Sequence, residues 1–237
     1  MKGPYGFEAN DSCQSCKHRE NGFCQMPPAA LKDFDAITFS SSYPKGAFLF
    51  MEKQTPRGIY ILCEGEMKLS VSSNEGKTLI LRIAKAGEIL GLESALSGNP
   101  YELTAETLRP CQVAFIRRDA FLQFLTKHPE VYLAVMSQLG SHYQIACEQL
   151  RTVGLSASAP EKLARLLLNF SATGQETKER NQVKMPLTHE EIASFIGTTR
   201  ETVTRTLSDF KAKHLVQVQG STLTIQNRGG LENLASL

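Results

Sequence analysis

A chain of 237 residues is long enough for one large domain or two ordinary ones, each with its own core. Hydrophobic residues make up 41% and charged residues 21%, as in water-soluble globular proteins. There is no apolar run of about 18 residues, as a membrane span needs, and no apolar secretory signal at the amino terminus. We therefore expect a cytoplasmic protein with no membrane partner, and the net charge of +2 leaves nucleic-acid binding undecided.

Three cysteines lie in the first 24 residues, within an irregular segment rich in Gly, Pro, Asn and Ser. They are Cys13, Cys16 and Cys24, spaced C-x2-C-x7-C. In the cytoplasm, cysteines bind metals or take part in redox chemistry more often than they form structural disulfides. We therefore predict that residues 1–30 form a cysteine-rich sensor segment.

Short apolar or alternating runs follow, separated by turns rich in Gly, Pro and Asn. Strands this short and this evenly spaced are typical of a small β-barrel or sandwich. Residues 31–118 are therefore predicted to form an all-β sensor domain. Its clearest strands are expected at 47–50, 58–63, 66–71, 79–83 and 111–116.

A helical pattern occupies residues 119–155, with a break predicted at His128-Pro129. Seven apolar or aromatic positions recur in it at alternating steps of four and three residues, which is the period of a coiled-coil interface. A helix packed only on its own barrel is the alternative. The stripe lasts three heptads and follows a domain with its own core, which favours a dimer interface made by Tyr132, Met136, Leu139, Tyr143, Ala146, Leu150 and Val153.

Small residues at 155–160 predict a hinge, so the last domain is expected to span residues 156–237. Ser158 and Glu161 have the spacing of a capping box for the helix that follows. Residues 171–182 are polar and are expected to form a loop.

Residues 187–226 have the pattern of a helix-turn-helix followed by a hairpin wing. Thr188 and Glu191 form a second capping box, Gly197 supplies a turn, and the next helix is expected from Arg200 to Lys213. Val203, Leu207 and Phe210 share the inward face of this helix.

The outward face of that helix has side chains suited to reading DNA bases. Arginine can donate a bidentate pair to guanine, and glutamate can accept from the amino group of cytosine. An ordinary helical hairpin with a charged surface is the alternative. The residues predicted to contact DNA are Thr199, Arg200, Glu201, Thr204, Arg205 and Ser208.

The order of roll, long helix, hinge and winged helix resembles the Crp/Fnr family of bacterial transcription regulators. The most specific match is Gly197–Leu207, GTTRETVTRTL, which is similar to the family's recognition helix. The resemblance implies an α+β fold: an N-terminal β-roll of the cyclic-nucleotide-binding or cupin-like kind, a long dimerisation helix and a C-terminal winged helix-turn-helix. It implies a homodimer that binds a near-palindromic site in double-stranded DNA, a partnership with RNA polymerase, and no enzymatic activity.

The recognition helix resembles one branch of the family and the cysteines another. Arg-Glu-x-x-x-Arg, from Arg200 to Arg205, is similar to the cyclic-AMP receptor branch, which reads TGTGA-type half-sites; the Fnr branch has an apolar residue in place of Arg200. However, Tyr101 or Glu102 stands where nucleotide-binding members have a phosphate-binding arginine. Because a carboxylate repels a phosphate, cyclic AMP is not expected as a ligand.

Members of the Fnr branch hold a [4Fe–4S] cluster with three N-terminal cysteines and a fourth on a strand near the end of the roll. Cys111 matches the position of that fourth cysteine, although the N-terminal spacing is slightly longer than usual. The resemblance therefore implies a cluster that senses oxygen, nitric oxide or redox state, with Cys13, Cys16, Cys24 and Cys111 as its ligands.

Other roles for the cysteines stay open. Zinc accepts four thiolates, and His18 could replace one of them. A thiol–disulfide switch is a further alternative, as is a roll that binds a non-nucleotide small molecule while the cysteines have no sensory role. Cys63 and Cys147 are expected to be packing residues.

Overall fold

The computed structural model describes residues 5, 7, 13, 16, 22–156, 158–173, 182–184, 187–219 and 222–235. They fall into two compact units. One unit comprises Met1–Val71 and Leu81–Ile145, and the other comprises Ser72–Ile80 and Ala146–Leu237. Within the described ranges, no helix is long and apolar enough to cross a membrane.

The first part of the chain forms a β-roll of two four-stranded sheets, with strand orders β1-β8-β3-β6 and β2-β7-β4-β5. The pairs β1–β8, β3–β8, β3–β6, β2–β7 and β4–β7 are antiparallel. All five predicted strands form, within two residues of the expected ends. The strands are β1 (Phe39–Tyr43), β2 (Phe48–Phe50), β3 (Gly58–Glu64), β4 (Glu66–Ser72), β5 (Thr78–Lys85), β6 (Ile89–Leu90), β7 (Thr104–Thr107) and β8 (Cys111–Arg117).

Both faces of the first sheet are covered, and successive residues of β3 alternate between them. Tyr60 and Leu62 point into the core between the two sheets, where they pack with residues of β4 and β7. Ile59 and Ile61 point to the other face, where a separate core forms against helices. A residue's position along the strand therefore determines which core it joins.

Four helices belong to or extend from this unit: α1 (Pro28–Ala36), α2 (Leu92–Ser97), α3 (Arg118–Lys127) and α4 (Tyr132–Gly154). The predicted break between the last two is confirmed, because a 3-10 turn, Pro129–Val131, separates them. Helices α1 and α2 were not predicted. Pro28 stands at the first position of α1, where its missing N–H has no intrahelical acceptor and its fixed φ suits a helix.

The second unit contains α5 (Ala159–Thr173), α6 (His189–Ile196), α7 (Arg200–Ala212) and α8 (Arg228–Ala235). Ser158 Oγ accepts from the N–H of Glu161 at 3.3 Å, as the predicted cap requires. Strands β10 (Val216–Gln219) and β11 (Thr222–Ile225) form the predicted wing hairpin, whose tip at residues 220–221 lies outside the described residues. A third strand, β9 (Gln182–Lys184), pairs with β11 at the end of the segment predicted as a loop.

Candidate functional sites

The helix-turn-helix is held by side-chain caps at the start of both helices. At α6, Thr188 Oγ1 accepts from the N–H of Glu191 at 3.2 Å, and Glu191 Oε2 accepts from the N–H of Thr188 at 2.8 Å. At α7, Thr199 Oγ1 accepts from the N–H of Thr202 at 3.3 Å. Gly197 ends α6 with φ +66°, a left-handed conformation that glycine adopts without steric cost. These contacts confirm both helix starts and the turn predicted from sequence.

Helix α7 presents one apolar and one polar face, as its sequence predicts. Val203, Leu207 and Phe210 are buried in the core of the second unit. The six residues predicted to contact DNA, Thr199, Arg200, Glu201, Thr204, Arg205 and Ser208, are all exposed. Their side chains therefore stand on one accessible surface, with two guanidinium groups and one carboxylate.

Like Thr199, the other two hydroxyl residues on this surface, Thr204 and Ser208, already have local partners. Thr204 Oγ1 donates to the Arg200 carbonyl at 3.0 Å and lies 2.9 Å from His189 Nδ1, while Ser208 Oγ donates to the Thr204 carbonyl at 3.0 Å. Sequence reasoning did not include His189, which is the first residue of α6. Its contact with Thr204 adds an imidazole to the same surface.

Helix α4 has large apolar side chains that none of the described residues covers. Within the predicted apolar stripe, Tyr132, Met136, Tyr143, Ala146 and Leu150 are exposed, and the exposed fractions of Met136, Tyr143 and Leu150 are 65%, 72% and 73%. Leu139 and Val153 are half-buried. Leu139 packs against the helix-side core of the roll. Exposed apolar groups on this scale mark an interaction surface.

A second candidate site is a pocket on the helix side of strand β3, and four cysteines line it. Cys63 comes from the strand, Cys24 from the 3-10 turn Gly22–Cys24, and Cys13 and Cys16 from the segment before that turn. The space left between them is only about 20 Å³. The other described lining residues are Met26, Leu31, Phe34, Ile61, Leu62, Gly87 and Ala114. The pocket therefore combines thiols with an apolar wall.

Burial and neighbouring groups raise the pKa of three of these cysteines, Cys13, Cys24 and Cys63. Burial raises the pKa of Cys24 to about 11, with a smaller contribution from the charge of Cys16. Burial also raises the pKa of Cys63 to about 12, helped by the charges of Cys24 and Cys16. The pKa of Cys13 is raised by burial and then by Asp35, with Cys63 and Cys24 adding to the effect. The pKa of each of these three thiols is therefore affected by at least one other cysteine of the pocket.

Cys111, the fourth residue of the expected ligand set, does not line this pocket. It lies in the core between the two sheets, beside Val113, whereas Ala114 and Ile116 of the same strand face the helices. Its Sγ contacts the carbonyl oxygens of Arg109 at 3.1 Å and Glu66 at 3.4 Å. The structure therefore brings together the three N-terminal cysteines with Cys63, which was expected only as a packing residue. His18, the other possible zinc ligand, lies outside the described residues.

Of the two residues expected at the position of the phosphate-binding arginine, Tyr101 is buried in the roll. The Tyr101 ring stacks on Phe50 with a centroid separation of 4.1 Å, and its hydroxyl donates to the Gly58 carbonyl at 2.8 Å. A Cβ on Gly91 would lie 2.7 Å from the Tyr101 ring, so even a methyl group has no room there. Glu102 is exposed beside it.

A buried cation lies elsewhere in the first unit, and sequence reasoning did not identify it. Arg82 forms an ion pair with Glu88 and lies 2.9 Å from Nε2 of His142 on α4. Because a guanidinium can only donate, Nε2 accepts, and Nδ1–H donates to Glu93 at 2.6 Å. Arg82 is therefore neutralised by a protein carboxylate.

Two family models match the chain. The cyclic nucleotide-binding domain matches residues 40–128 and the Crp-like helix-turn-helix domain matches residues 161–234, together more than half of the chain. An effector-type roll and a helix-turn-helix in one chain define a DNA-binding transcription regulator. The chain belongs to the Crp/Fnr family of these regulators, whose members act as dimers.

Individual relatives match over most of their length. "Probable transcriptional regulator flp" of Lacticaseibacillus casei is 29% identical over 215 residues, covering 90% of this chain and 94% of that protein. The structure of FixK2 from Bradyrhizobium japonicum has a TM-score of 0.74 at 22% identity and covers 84% of this chain and 97% of its own. CLP from Xanthomonas campestris, described as a c-di-GMP-responsive global regulator, has a TM-score of 0.75 at 18% identity over 84% of this chain and 99% of its own.

Proposed function

We propose that this regulator senses oxygen, nitric oxide or redox state through an iron–sulfur cluster held in the cysteine pocket. The observation that carries the proposal is that four of the six cysteines line one apolar pocket. Four thiolates are the usual ligand set of a [4Fe–4S] cluster. When bound, such a cluster would react with oxygen or nitric oxide and be degraded.

The arrangement of the thiols differs from that of a preformed site for a single metal ion such as zinc. Among the residues that the structure describes, no three Cys, His, Asp or Glu side chains are close enough together to hold one metal ion. A zinc ion needs all four sulfurs about 2.3 Å from a single point, whereas each thiolate of a four-iron cluster binds a different iron. The space between these thiols is only about 20 Å³, so the pocket would have to widen to hold such a group.

The raised pKa values disfavour a thiol–disulfide switch. The thiolate is the reactive form of cysteine, and redox-sensing cysteines have a lowered pKa. Here burial raises the pKa of Cys24 and Cys63 well above neutrality. A bound cationic metal would lower the pKa of these thiols instead, because it stabilises the thiolate that it coordinates.

The chain's own packing links the pocket to the dimerisation helix. Phe23, next to Cys24, is buried, and its N–H donates to the Gly87 carbonyl at 3.3 Å. The same core contains Val135 of α4, and Leu139 packs against it. The position of Cys24 and the packing of α4 therefore depend on one core, so the state of the pocket can bias α4 and its dimer contacts.

The DNA site that we propose follows from the recognition helix. Arg200, Glu201 and Arg205 would read TGTGA-like half-sites, and a two-fold symmetric dimer formed along α4 requires a near-palindromic operator with half-sites about one helical turn apart. RNA polymerase is the expected partner on the promoter.

Cyclic AMP is not the effector in this proposal. Tyr101 or Glu102 stands where nucleotide-binding members have the arginine, and the buried Arg82 is already paired with Glu88. The name of CLP shows that regulators of this fold respond to other ligands as well. Operator affinity should therefore be the same with and without millimolar cyclic AMP, and a clear increase would contradict this part of the proposal.

Iron and acid-labile sulfide analysis of protein isolated without oxygen tests the sensor. We expect about four iron atoms and four sulfides per chain, a brown colour that fades in air, and weaker operator binding after exposure to air. A colourless protein that contains zinc, or one with no metal, would refute the cluster and favour the zinc or small-molecule alternative.

A further inference from the structure

We propose that a groove beside the connection between β2 and β3 binds a small organic anion, which has a carboxylate or phosphate head and an apolar body. The groove has a volume of about 500 Å³, and small-molecule sites in proteins have volumes of this order. It is separate from the cysteine pocket, so this inference does not depend on the proposed cluster.

Two cationic side chains stand at this groove, and none of its described lining residues is acidic. Lys53 and Arg57 are both exposed in the segment that joins β2 to β3. Within the described part of the chain, neither forms an ion pair with a carboxylate. Two positive charges on one concave surface add to each other's potential, so the groove attracts anions.

The Tyr60 hydroxyl provides a hydrogen-bond donor at the same groove. Only 9% of this residue is exposed, and the described residues give its hydroxyl no acceptor. Burial raises the pKa of Tyr60 to about 12, so the hydroxyl is protonated at neutral pH and can donate to an anion. The charge of Arg57 acts on this pKa in the opposite direction, which is consistent with a guanidinium near the hydroxyl.

The groove also has an apolar wall. The Tyr101 hydroxyl already donates its proton to the Gly58 carbonyl at 2.8 Å, so Tyr101 contributes its ring and not a donor. That ring stacks on Phe50, and Leu49 lines the groove beside them. The combination of cations, one free donor and an apolar wall suits an anion with an apolar body better than inorganic phosphate.

The backbone around the groove is held in place without a ligand. Lys53 has φ +69°, a left-handed conformation that is uncommon for a residue with a side chain. Its N–H donates to the Tyr101 carbonyl at 2.7 Å, and the Tyr101 N–H donates to the Gln54 carbonyl at 2.9 Å. At the other end, the Arg57 carbonyl accepts from the N–H of Arg118 at 3.1 Å. Because the main chain is already ordered, binding costs little backbone entropy.

This groove differs from the place where a nucleotide effector is expected. Of the stretch from Gly87 to Ala105, which contains the expected position of the phosphate-binding arginine, only Tyr101 lines the groove. The buried Arg82, which contacts α4 through His142, is not part of the lining either. The groove is therefore an additional site in the roll.

Calorimetric titration of the full chain with phenyl phosphate and with benzoate tests the site. We expect at least one of these anions to bind once per chain. Phenol, which lacks the charge, and inorganic phosphate, which lacks the apolar body, should bind at least about tenfold more weakly. Tighter binding of phenyl phosphate would assign a phosphate head, and tighter binding of benzoate would assign a carboxylate head.

Variants of the groove identify the residues that hold the anion. Lys53→Gln, Arg57→Gln and Tyr60→Phe should each weaken binding of the preferred probe at least about tenfold. Lys45→Gln is the matched control, because it removes an exposed cation that does not line the groove, and it should bind like the wild type. Circular dichroism and urea unfolding establish that each variant is folded; Lys53→Gln changes an exposed side chain and Tyr60→Phe keeps the ring.

Two sets of results would overturn the proposal. One is that neither anion binds at millimolar concentration, or that phenol binds as tightly as the anions. The other is that Lys45→Gln weakens binding as much as Lys53→Gln does, because the anion would then respond only to the overall charge of the surface.

Discussion

Arg200 is the side chain on which the proposed base reading depends most directly. It is exposed at the first turn of α7, the end of a recognition helix that enters the major groove first. Arg200→Ala should reduce affinity for the best operator by about 1–3 kcal/mol and relax discrimination at one guanine. Titration of the variant against single-base operator variants measures both effects.

A basic residue at the other end of the helix supplies the comparison. Lys213, the C-terminal cap residue of α7, is exposed. Lys213→Ala should weaken binding about equally for all operator variants, because phosphate contacts carry no sequence information. If Arg200→Ala also left relative affinities unchanged, its role in base reading would be refuted.

His128 should make stability depend on pH. Its Nε2 lies 2.8 Å from Asp33 and its Nδ1 3.0 Å from Glu130, and these two carboxylates raise the pKa of His128 above 6.5. The imidazolium therefore stabilises the fold below pH 6.5, and this contribution is lost as the pH rises through the raised pKa. The pKa of Asp33 is lowered by Lys127 and His128, so its contribution is lost only in acid.

Unfolding in urea at several pH values measures this dependence. The free energy of unfolding should fall as the pH rises from 6 to 8.5, and His128→Gln should remove that part of the change. Asp33→Asn, which takes away the first partner, should remove most of it. Identical pH profiles for the wild type and His128→Gln would show that the contact contributes nothing.

At the scale of the element, a capping box stabilises the first turn of α6. Thr188 and Glu191 each accept the other's main-chain N–H. Thr188→Ala leaves one of these N–H groups without its acceptor and should lower the free energy of unfolding of the second unit by about 1 kcal/mol. Thr188→Ser keeps the hydroxyl and should be close to the wild type, so an equal loss in both variants would point to packing of the methyl group instead. Thermal and urea unfolding provide the measurement.

Elements with a strong local signal were predicted from sequence, and those without one were not. Thr188, Glu191 and Gly197 predict the capping box and the glycine turn, because caps and left-handed turns need particular residue types. Helix α1 begins at the second residue of a Pro-Pro pair, α2 has six residues, and α8 contains two glycines, so none shows a clear helical pattern. These short helices form because tertiary packing stabilises their apolar sides.

At the scale of the whole molecule, the exposed apolar face of α4 requires a partner. Tyr143 lies in the middle of that stripe and is 72% exposed in the single chain. Tyr143→Glu would place a charge at the interface and should raise the dimer dissociation constant at least about tenfold, equivalent to about 1.4 kcal/mol. Gln144→Glu, an exposed neighbour off the stripe, should leave it unchanged. Sedimentation velocity and operator binding report the two effects.

The composition of the apolar stripe on α4 also predicts how a sensor would act on the dimer. Since its seven positions carry no charge, the interface should hold together without any cofactor. We expect the metal-free protein to sediment as a dimer at micromolar concentration, with the cluster changing the geometry of the dimer and not its assembly. A metal-free monomer under these conditions would show instead that the cofactor controls association.

The sequence alone determined the order of elements, the two faces of the recognition helix and the apolar stripe of α4, because each depends on local spacing and residue type. Only the tertiary structure decided which cysteines meet. Cys63 and Cys111 lie on neighbouring strands of one sheet, but they belong to cores on opposite faces of it. Likewise, the pairing of Arg82 with Glu88 and the burial of Tyr101 depend on tertiary packing, and no local sequence pattern predicts them.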